Sequence, residues 1–417
     1  MKQPSAPHHH HLPDTQQSFW QLAVIQLSGW TTLPIVATSI LILQQNTFLG
    51  AVLTIVVGNA ILWFIRLGII AMSAEGRKST LDISRDYLGN TGSYFIAGLL
   101  LVSTLVWFIA QTTAATHTLT QLVSIKQDPQ IDKFTQMSVF LGIVSTFLCM
   151  EGIVLLRRLS SFAFPILLVC FFVIIFVLPS QAIEQKDVPL SLAGLGLVLA
   201  TNLGITSDMP TFFRHSKSWV ASVEALTVIQ LVNIGVGICS LYFGSIISDD
   251  FAVRSEVVLF SGDYLLRTFL VVFVFLSVIC TNVANVYSAS VGWEVVAPKA
   301  LVGRREYLIL GLALTTIFIL GSNVLSVHGL LHIADQSLVN LCLVLILGYM
   351  IQRWVRKMPG RFEQGCYFVA WLLSTALNVT QLAWPSSVAI NPLSLSFAVI
   401  LGVMGASTLI RFKFPSR

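Results

Sequence analysis

Apolar runs separated by short polar, basic or Gly/Pro-containing segments recur from residue 19 to residue 411. Each is about 20 residues or longer, enough to cross a roughly 30 Å hydrocarbon layer as a helix that satisfies its own backbone N–H and C=O groups. They fall near 19–43, 47–73, 93–123, 135–154, 158–180 and 190–207, then near 217–247, 264–293, 306–325, 328–352, 365–384 and 392–411. The pattern predicts an all-α polytopic membrane protein with twelve transmembrane helices in one membrane domain over 19–411. A disordered cytoplasmic tail is expected over 1–18 and a short one over 412–417, with loops near 74–92 and 248–263.

Composition agrees, with 55% hydrophobic and 10% charged residues and a mean hydropathy of +0.82 over 417 residues. Eighteen of the 24 Lys and Arg residues fall in alternate inter-span segments, only Lys126, Lys133, Lys186 and Arg254 in the others, and Arg66 and Arg267 within spans or at their edges. This bias places both termini in the cytoplasm, as for a bacterial-type inner (plasma) membrane protein. The net charge of +5 is thereby a topology signal and not a nucleic-acid footprint; the partners expected are the bilayer and a small solute. The six cysteines have no paired spacing, so neither a disulfide framework nor a zinc site is read. The His8 to His11 run lies in a Pro-rich tail and is given no metal role, and Glu151 and Arg66 are read as near-interface residues that snorkel or pair.

Small polar residues interrupt the first and sixth spans at mid-depth, as "SGWTT" (Ser28 to Thr32) and "TNLGITS" (Thr201 to Ser207). Discontinuous helices at corresponding places in two halves mark the midplane site of inverted-repeat transporters. Five spans are an odd number, so a second copy would be inverted. Repeat one would run over about 19–180 and repeat two over about 190–352, with two extra helices over about 365–411. The alternative is that Gly and Ser merely allow close helix packing.

Three spans carry candidate chemistry. In "LVWFIAQTTAAT", Trp107 and Gln111 lie one helical turn apart, and a flat indole beside a carboxamide suits a flat heterocycle, stacked on its face and hydrogen-bonded at its edge. In "VICTNVANVYSAS" and just before it, Ser277, Thr281, Asn285 and Ser288 form one polar stripe flanked by Cys280 and Asn282. That stripe is either interhelical hydrogen-bond glue or a lining around a solute, with Ser277 and Thr281 as oxygen ligands for sodium. In "HGLLHIADQS", His332 and Asp335 lie three residues apart, and ionisable groups inside a membrane are functional candidates by default. The other reading of Asp335 is an inward-facing carboxyl bonded to a neighbouring helix or lying near the outer boundary.

These motifs, in order and spacing, resemble the nucleobase:cation symporters, the family that includes cytosine permease. The similarity covers "VVGNAI", "EGRKSTLDISRDYLGNTGSY" with "VWFIAQ", "GITSDMPTFFRHSK" with Asp208 and Arg214, and "CTNVANVYSAS". The resemblance implies a heterocycle stacked on Trp107 and bonded by Gln111, Asn282 and Asn285. It also implies a cation held by Ser277, Thr281 and the backbone near Gly29. Where many members place an aromatic residue in span six, this chain has Ala200, Thr201 and Asn202, so Asn202 joins the expected site and Trp30 is the candidate to close the ring sandwich. Cys280 stands where Ser or Thr is usual, and sulfur is a poor sodium ligand. If span ten closes over the site, as in that family, Asp335 with His332 becomes a gating or proton-coupling candidate.

The function expected is secondary active import of a nucleobase such as cytosine, or a related flat heterocycle, by a monomer using no cofactor beyond sodium or protons as coupling ion. The alternatives are a sensor of the same fold that binds without moving its solute, and a polytopic membrane enzyme. The second lacks a cluster of His, Asp or Glu or a nucleophile with its base.

Overall fold

The computed structural model describes residues 16–31, 33–123, 133–149, 152–177, 189–243, 264–296, 327–383 and 392–413. The expected ninth span, the 248–263 loop, Glu151, the His8 to His11 run and the outermost tail residues lie outside the described residues.

Every element of length among the described residues is helical. The first two helices are α1 (Phe19–Trp30) and α2 (Leu33–Leu43). They are the two parts of the first expected span, interrupted after Trp30 as its polar "SGWTT" stretch predicts. Next come α3 (Phe48–Ala74), α4 (Thr80–Leu122), α5 (Lys133–Cys149), α6 (Ile153–Val177), α7 (Leu192–Phe213) and α8 (Trp219–Ser240). The last are α9 (Tyr264–Val296), α10 (Val327–Val355), α11 (Arg361–Ala383) and α12 (Pro392–Lys413). Eight helices among the described residues are long and apolar enough to cross a membrane by length and composition, including α3, α4, α7, α9 and most of α10.

Two expectations are corrected. The 74–92 segment is not a loop throughout, because α4 begins at Thr80. Ser79 caps it reciprocally with Asp82, and Gly89, at φ 75°, bends the chain between a short arm and the long span. The sixth span is not broken, because α7 runs unbroken through Thr201 to Ser207. Its polar side chains turn back onto their own helix: Thr201 Oγ1 donates to Leu197 O at 2.8 Å, Thr206 Oγ1 to Asn202 O at 2.7 Å, and Asn202 Nδ2 to Val198 O at 2.9 Å. Small polar residues satisfied in this way cost the helix little.

Helices α2 and α3 pack on each other and each on α7 and α8, and α9 packs on α4, α5 and α6. Between these two sets, α1 touches α8, α6 and α9, while α10 touches α7 and α4. Glycines let α3 and α7 approach closely: a Cβ on Gly58 would lie 2.5 Å from Val198 Cγ1, and one on Gly50 would run into the carbonyl of Pro189.

The polar knot of the first set is Arg66, which is fully buried on α3 and pairs with groups of two other helices. Its Nε donates to Thr206 Oγ1 at 3.0 Å and its Nη2 to Asn202 Oδ1 at 2.9 Å, both on α7, while its Nη1 donates to Gln230 Oε1 on α8. Gln230 Nε2 in turn donates to Asn59 O at 2.6 Å. One planar guanidinium thus ties three helices, a role its rigid array of donors suits better than an ammonium.

Arg66→Ala should leave Asn202 Oδ1 and Gln230 Oε1 without these donors and open a cavity. The expected loss is about 2–5 kcal/mol, read as a lower midpoint of thermal unfolding in detergent, while the exposed Lys217→Ala leaves the midpoint unchanged. Gly50→Ala should cost about 1–3 kcal/mol by overpacking against backbone, whereas Gly98→Ala, where a Cβ meets nothing within 4 Å, should be neutral or mildly stabilising by the same assay.

Candidate functional site

The interface of α4 and α9 carries polar atoms without protein partners. On α4, Trp107 and Gln111 stand one turn apart, and Gln111 Oε1 is buried and unbonded. The next residue, Thr112, accepts from Asn282 Nδ2 at 2.8 Å across to α9, which fixes the facing of the two helices. Asn282 is fully buried, yet its Oδ1 has no partner, and neither has Nδ2 of Asn285 one turn further along α9. Ser103 Oγ on α4 and Trp293 Nε1 on α9 are likewise buried without a partner. Buried polar groups in proteins are paired in the great majority of cases, so Gln111, Asn282 and Asn285 on facing helices mark a place where a solute can complete the pairing.

Helix α10 adds an acid. The Trp107 side chain lies near the Asp335 carboxyl group. A Cβ on Gly204 of α7 would lie 2.7 Å from Asp335 Oδ1, so α7 meets this carboxyl with bare backbone. Trp107, Gly204 and Asp335 thus bring α4, α7 and α10 together. His332, one turn earlier, is exposed on α10. Asn202 is not at this junction: its Oδ1 accepts from Arg66 and its Nδ2 is spent on Val198 O and Thr201 Oγ1.

The expected cation ligands lie where α1 meets α9. Ser277 and Thr281 are buried, and Thr281 Oγ1 donates to Ser277 O at 2.7 Å, leaving its lone pairs for a further partner. Cys280, between them, lies near Ser28 of α1, whose Oγ donates to Ser160 Oγ of α6 at 2.9 Å. Gly29 follows Ser28 at the end of α1, beside the interruption. Trp30 closes α1, and its side chain lies outside the described residues. No group of three or more His, Cys, Asp or Glu suited to a metal ion occurs among the described residues.

Ser288, the last of the polar stripe, has a separate use. Its Oγ donates to Asp208 Oδ2 at 2.5 Å, and Thr211 Oγ1 donates to Asp208 Oδ1 at 2.7 Å. Thr80, at the start of the α4 arm, donates to Ser207 O at 3.0 Å. Nearby, Tyr287 of α9 meets His215 Nε2 at 3.1 Å and Arg214 at 3.4 Å, while Gln17 pairs through its backbone with His215 and Lys217. This end of the molecule is laced shut between α7, α9 and the α4 arm. Sequence reasoning missed Thr112, Ser28, Ser160 and Gln230; only a hydroxyl or amide within an apolar run signalled them, and many such residues serve packing alone.

No family model and no curated protein matches the sequence. Solved structures do. The chain is similar to Mhp1, a nucleobase-cation-symport-1 family transporter, in a closed conformation with bromovinylhydantoin bound: TM-score 0.68 at 16% identity, covering 97% of this chain and 96% of that one. A Na+-coupled sialic acid symporter in a substrate-bound outward-open state gives 0.67 at 11% identity, over 96% and 90%. A manganese transporter of Eremococcus coleocola gives 0.57 at 13% identity, over 99% and 98%. Over nearly its whole length, the chain has the transport fold of a nucleobase-cation-symport-1 family member, the family its motifs resemble.

Proposed function

We propose that this protein is a secondary active transporter that imports a nucleobase such as cytosine, or a related flat heterocycle, by alternating access coupled to a sodium or proton gradient. The observation that carries the reading is the set of unpaired polar atoms on α4, the helix of Trp107, and on α9 packed against it: Gln111 Oε1, Asn282 Oδ1 and Asn285 Nδ2. A ring stacked on the indole would offer its edge to them, the stacking contributing about 1–3 kcal/mol and the edge bonds the selectivity.

The packing supports a rocking motion. The set α2, α3, α7 and α8, tied by Arg66, would move against α4, α5, α6 and α9, the second set carrying Trp107, Gln111, Asn282 and Asn285, with Gly204 of the first set and Asp335 of α10 closing over them. The Asp208 hydrogen bonds to Ser288 join the two sets at one end, so they must break when that end opens. Sodium, if it is the coupling ion, would sit between the end of α1 near Gly29 and the Ser277–Thr281 turn of α9; a proton would instead use Asp335. The same reading keeps twelve spans in a five-plus-five inverted repeat with two extra helices, both termini cytoplasmic in the plasma membrane, and a monomer as the working unit.

The test is uptake of labelled cytosine into cells that express the protein and lack their own permease, with sodium present or replaced by choline. Accumulation that falls with sodium removal supports the α1–α9 ion site; accumulation indifferent to sodium but abolished by a protonophore moves the coupling to Asp335. Binding without accumulation makes the protein a sensor, and no uptake of cytosine, purines or hydantoins removes the heterocycle reading. Trp107→Ala, at equal membrane abundance, should reduce apparent affinity about tenfold or more, and Trp107→Phe should recover part of it; normal uptake by the alanine variant would reject this site.

A further inference from the structure

An open cleft of about 390 Å³ lies between the arm of α4 and the connection from α10 to α11. Arg85 and Asn90, on either side of the bend at Gly89, line one wall, and Met358, Pro359 and Gln364 line the other. The acids in these segments, between residues 75 and 90 and between 353 and 364, are Glu75, Asp82, Asp86 and Glu363. All four are already taken: Glu75 pairs with Arg353, Asp86 with Lys78 at 2.7 Å and Glu363 with Arg411 at 2.8 Å, while Asp82 caps α4 through Ser79. Arg85, Arg356, Lys357 and Arg361 are exposed, and none of them is in an ion pair or hydrogen bond among the described residues. From the cleft, α4 and α11 continue side by side as an apolar seam. A Cβ on Gly89 would lie 3.3 Å from Gln364 Oε1, and one turn on along α11 Phe368 meets Gly92 and stands 5.4 Å, between ring centroids, from Phe95, which is 57% exposed.

We infer that this cleft and seam bind one anionic phospholipid, with its phosphate against Arg85 and an acyl chain along Phe95 and Phe368. A guanidinium offers phosphate oxygens a fork of donors, and the Asn90 carboxamide at the same wall can add another. Arg356, Lys357 and Arg361 surround the opening, so the anion meets an excess of positive charge that no acid of these segments offsets. A zwitterionic lipid brings its own cation and gains little from that excess. Free phosphate would satisfy the cations but leave the aromatic seam without an occupant, and the pairing of a basic cleft with an exposed apolar seam is what selects an amphiphile. Membrane topology accounts for cations at this end of the spans but requires neither the cleft nor the seam beneath it. A lipid held here would join the α4 arm, whose Thr80 bonds to Ser207 at the latch, to the connection that leaves α10. The inference is independent of which solute the protein carries.

The test is native mass spectrometry of the full-length protein released from detergent micelles, with dioleoyl phosphatidylglycerol or dioleoyl phosphatidylcholine titrated in. The wild type is expected to retain one phosphatidylglycerol about tenfold more tightly than phosphatidylcholine, a comparison that needs no variant. Arg85→Gln should weaken phosphatidylglycerol about fivefold and leave phosphatidylcholine unchanged. Arg158→Gln removes an equal exposed charge from α6, which packs on α1, α5 and α9, and should change neither. Equal retention of the two lipids by the wild type overturns the inference. Equal weakening by Arg85→Gln and Arg158→Gln makes the attraction a diffuse property of the basic surface and overturns the cleft. Displacement of phosphatidylglycerol by an equal concentration of glycerol 3-phosphate makes the cleft a site for a soluble anion and overturns the lipid.

Discussion

The structure turns on a cation held in an apolar interior. Arg66 brings one guanidinium to Thr206, Asn202 and Gln230, so α3, α7 and α8 share one hydrogen-bond centre that neither water nor lipid can replace. Removing a charge from water is costly, and the cost is tolerable only with good geometry and several acceptors. That requirement holds α7 in register against α3, where Gly58 lets Val198 approach and Gly194 meets Asn46. It also commits the polar face of α7 to structure, which leaves Gly204 as the surface α7 turns towards Asp335.

The proposed site is built on the opposite principle. Asn282 is anchored through Nδ2 to Thr112 but keeps Oδ1 unbonded, and Gln111 and Asn285 each keep one buried polar atom in reserve. The Asp208 cluster, with Ser288 and Thr211 bonded to both carboxyl oxygens, holds nothing back. On the proposed reading one polar helix, α9, would serve as a latch at Ser288 and as a solute-facing lining six residues earlier at Asn282. Hydrogen bonds between the two helix sets are concentrated at the latch end, the arrangement expected of a molecule whose motion must break a few polar contacts without unpacking its apolar core.

Much of this was legible in the chain. The 3.6-residue period placed Trp107 above Gln111, and the polar stripe through Ser277, Thr281 and Asn285 faces the interior as a stripe in lipid must. The interruption of the first span showed as "SGWTT". The equivalent reading of "TNLGITS" failed because hydroxyl and amide side chains that break a helix in one setting satisfy themselves on its carbonyls in another, and a distant arginine decided between the two. The partners of Arg66 were hidden for the same reason, since its acceptors lie 136 to 164 residues away. The α4 arm was misjudged because Gly89 and the Ser79 cap are local signals that a search for apolar spans passes over.

By itself, then, the sequence determined that the chain is helical and membrane-embedded, where most of its spans lie, and which helix faces are polar. Those properties follow from hydropathy and helical period, which act over a few turns. Only the tertiary structure decided which polar group meets which: Asn202 goes to Arg66, Ser288 to Asp208, Asp335 to Trp107 and Gly204, while Gln111 Oε1, Asn282 Oδ1 and Asn285 Nδ2 stay unpaired. The reason is that a carboxamide or hydroxyl has the same hydrogen-bonding capacity in a packing contact as in a binding site. What differs is whether a helix far away in sequence brings a partner within about 3 Å.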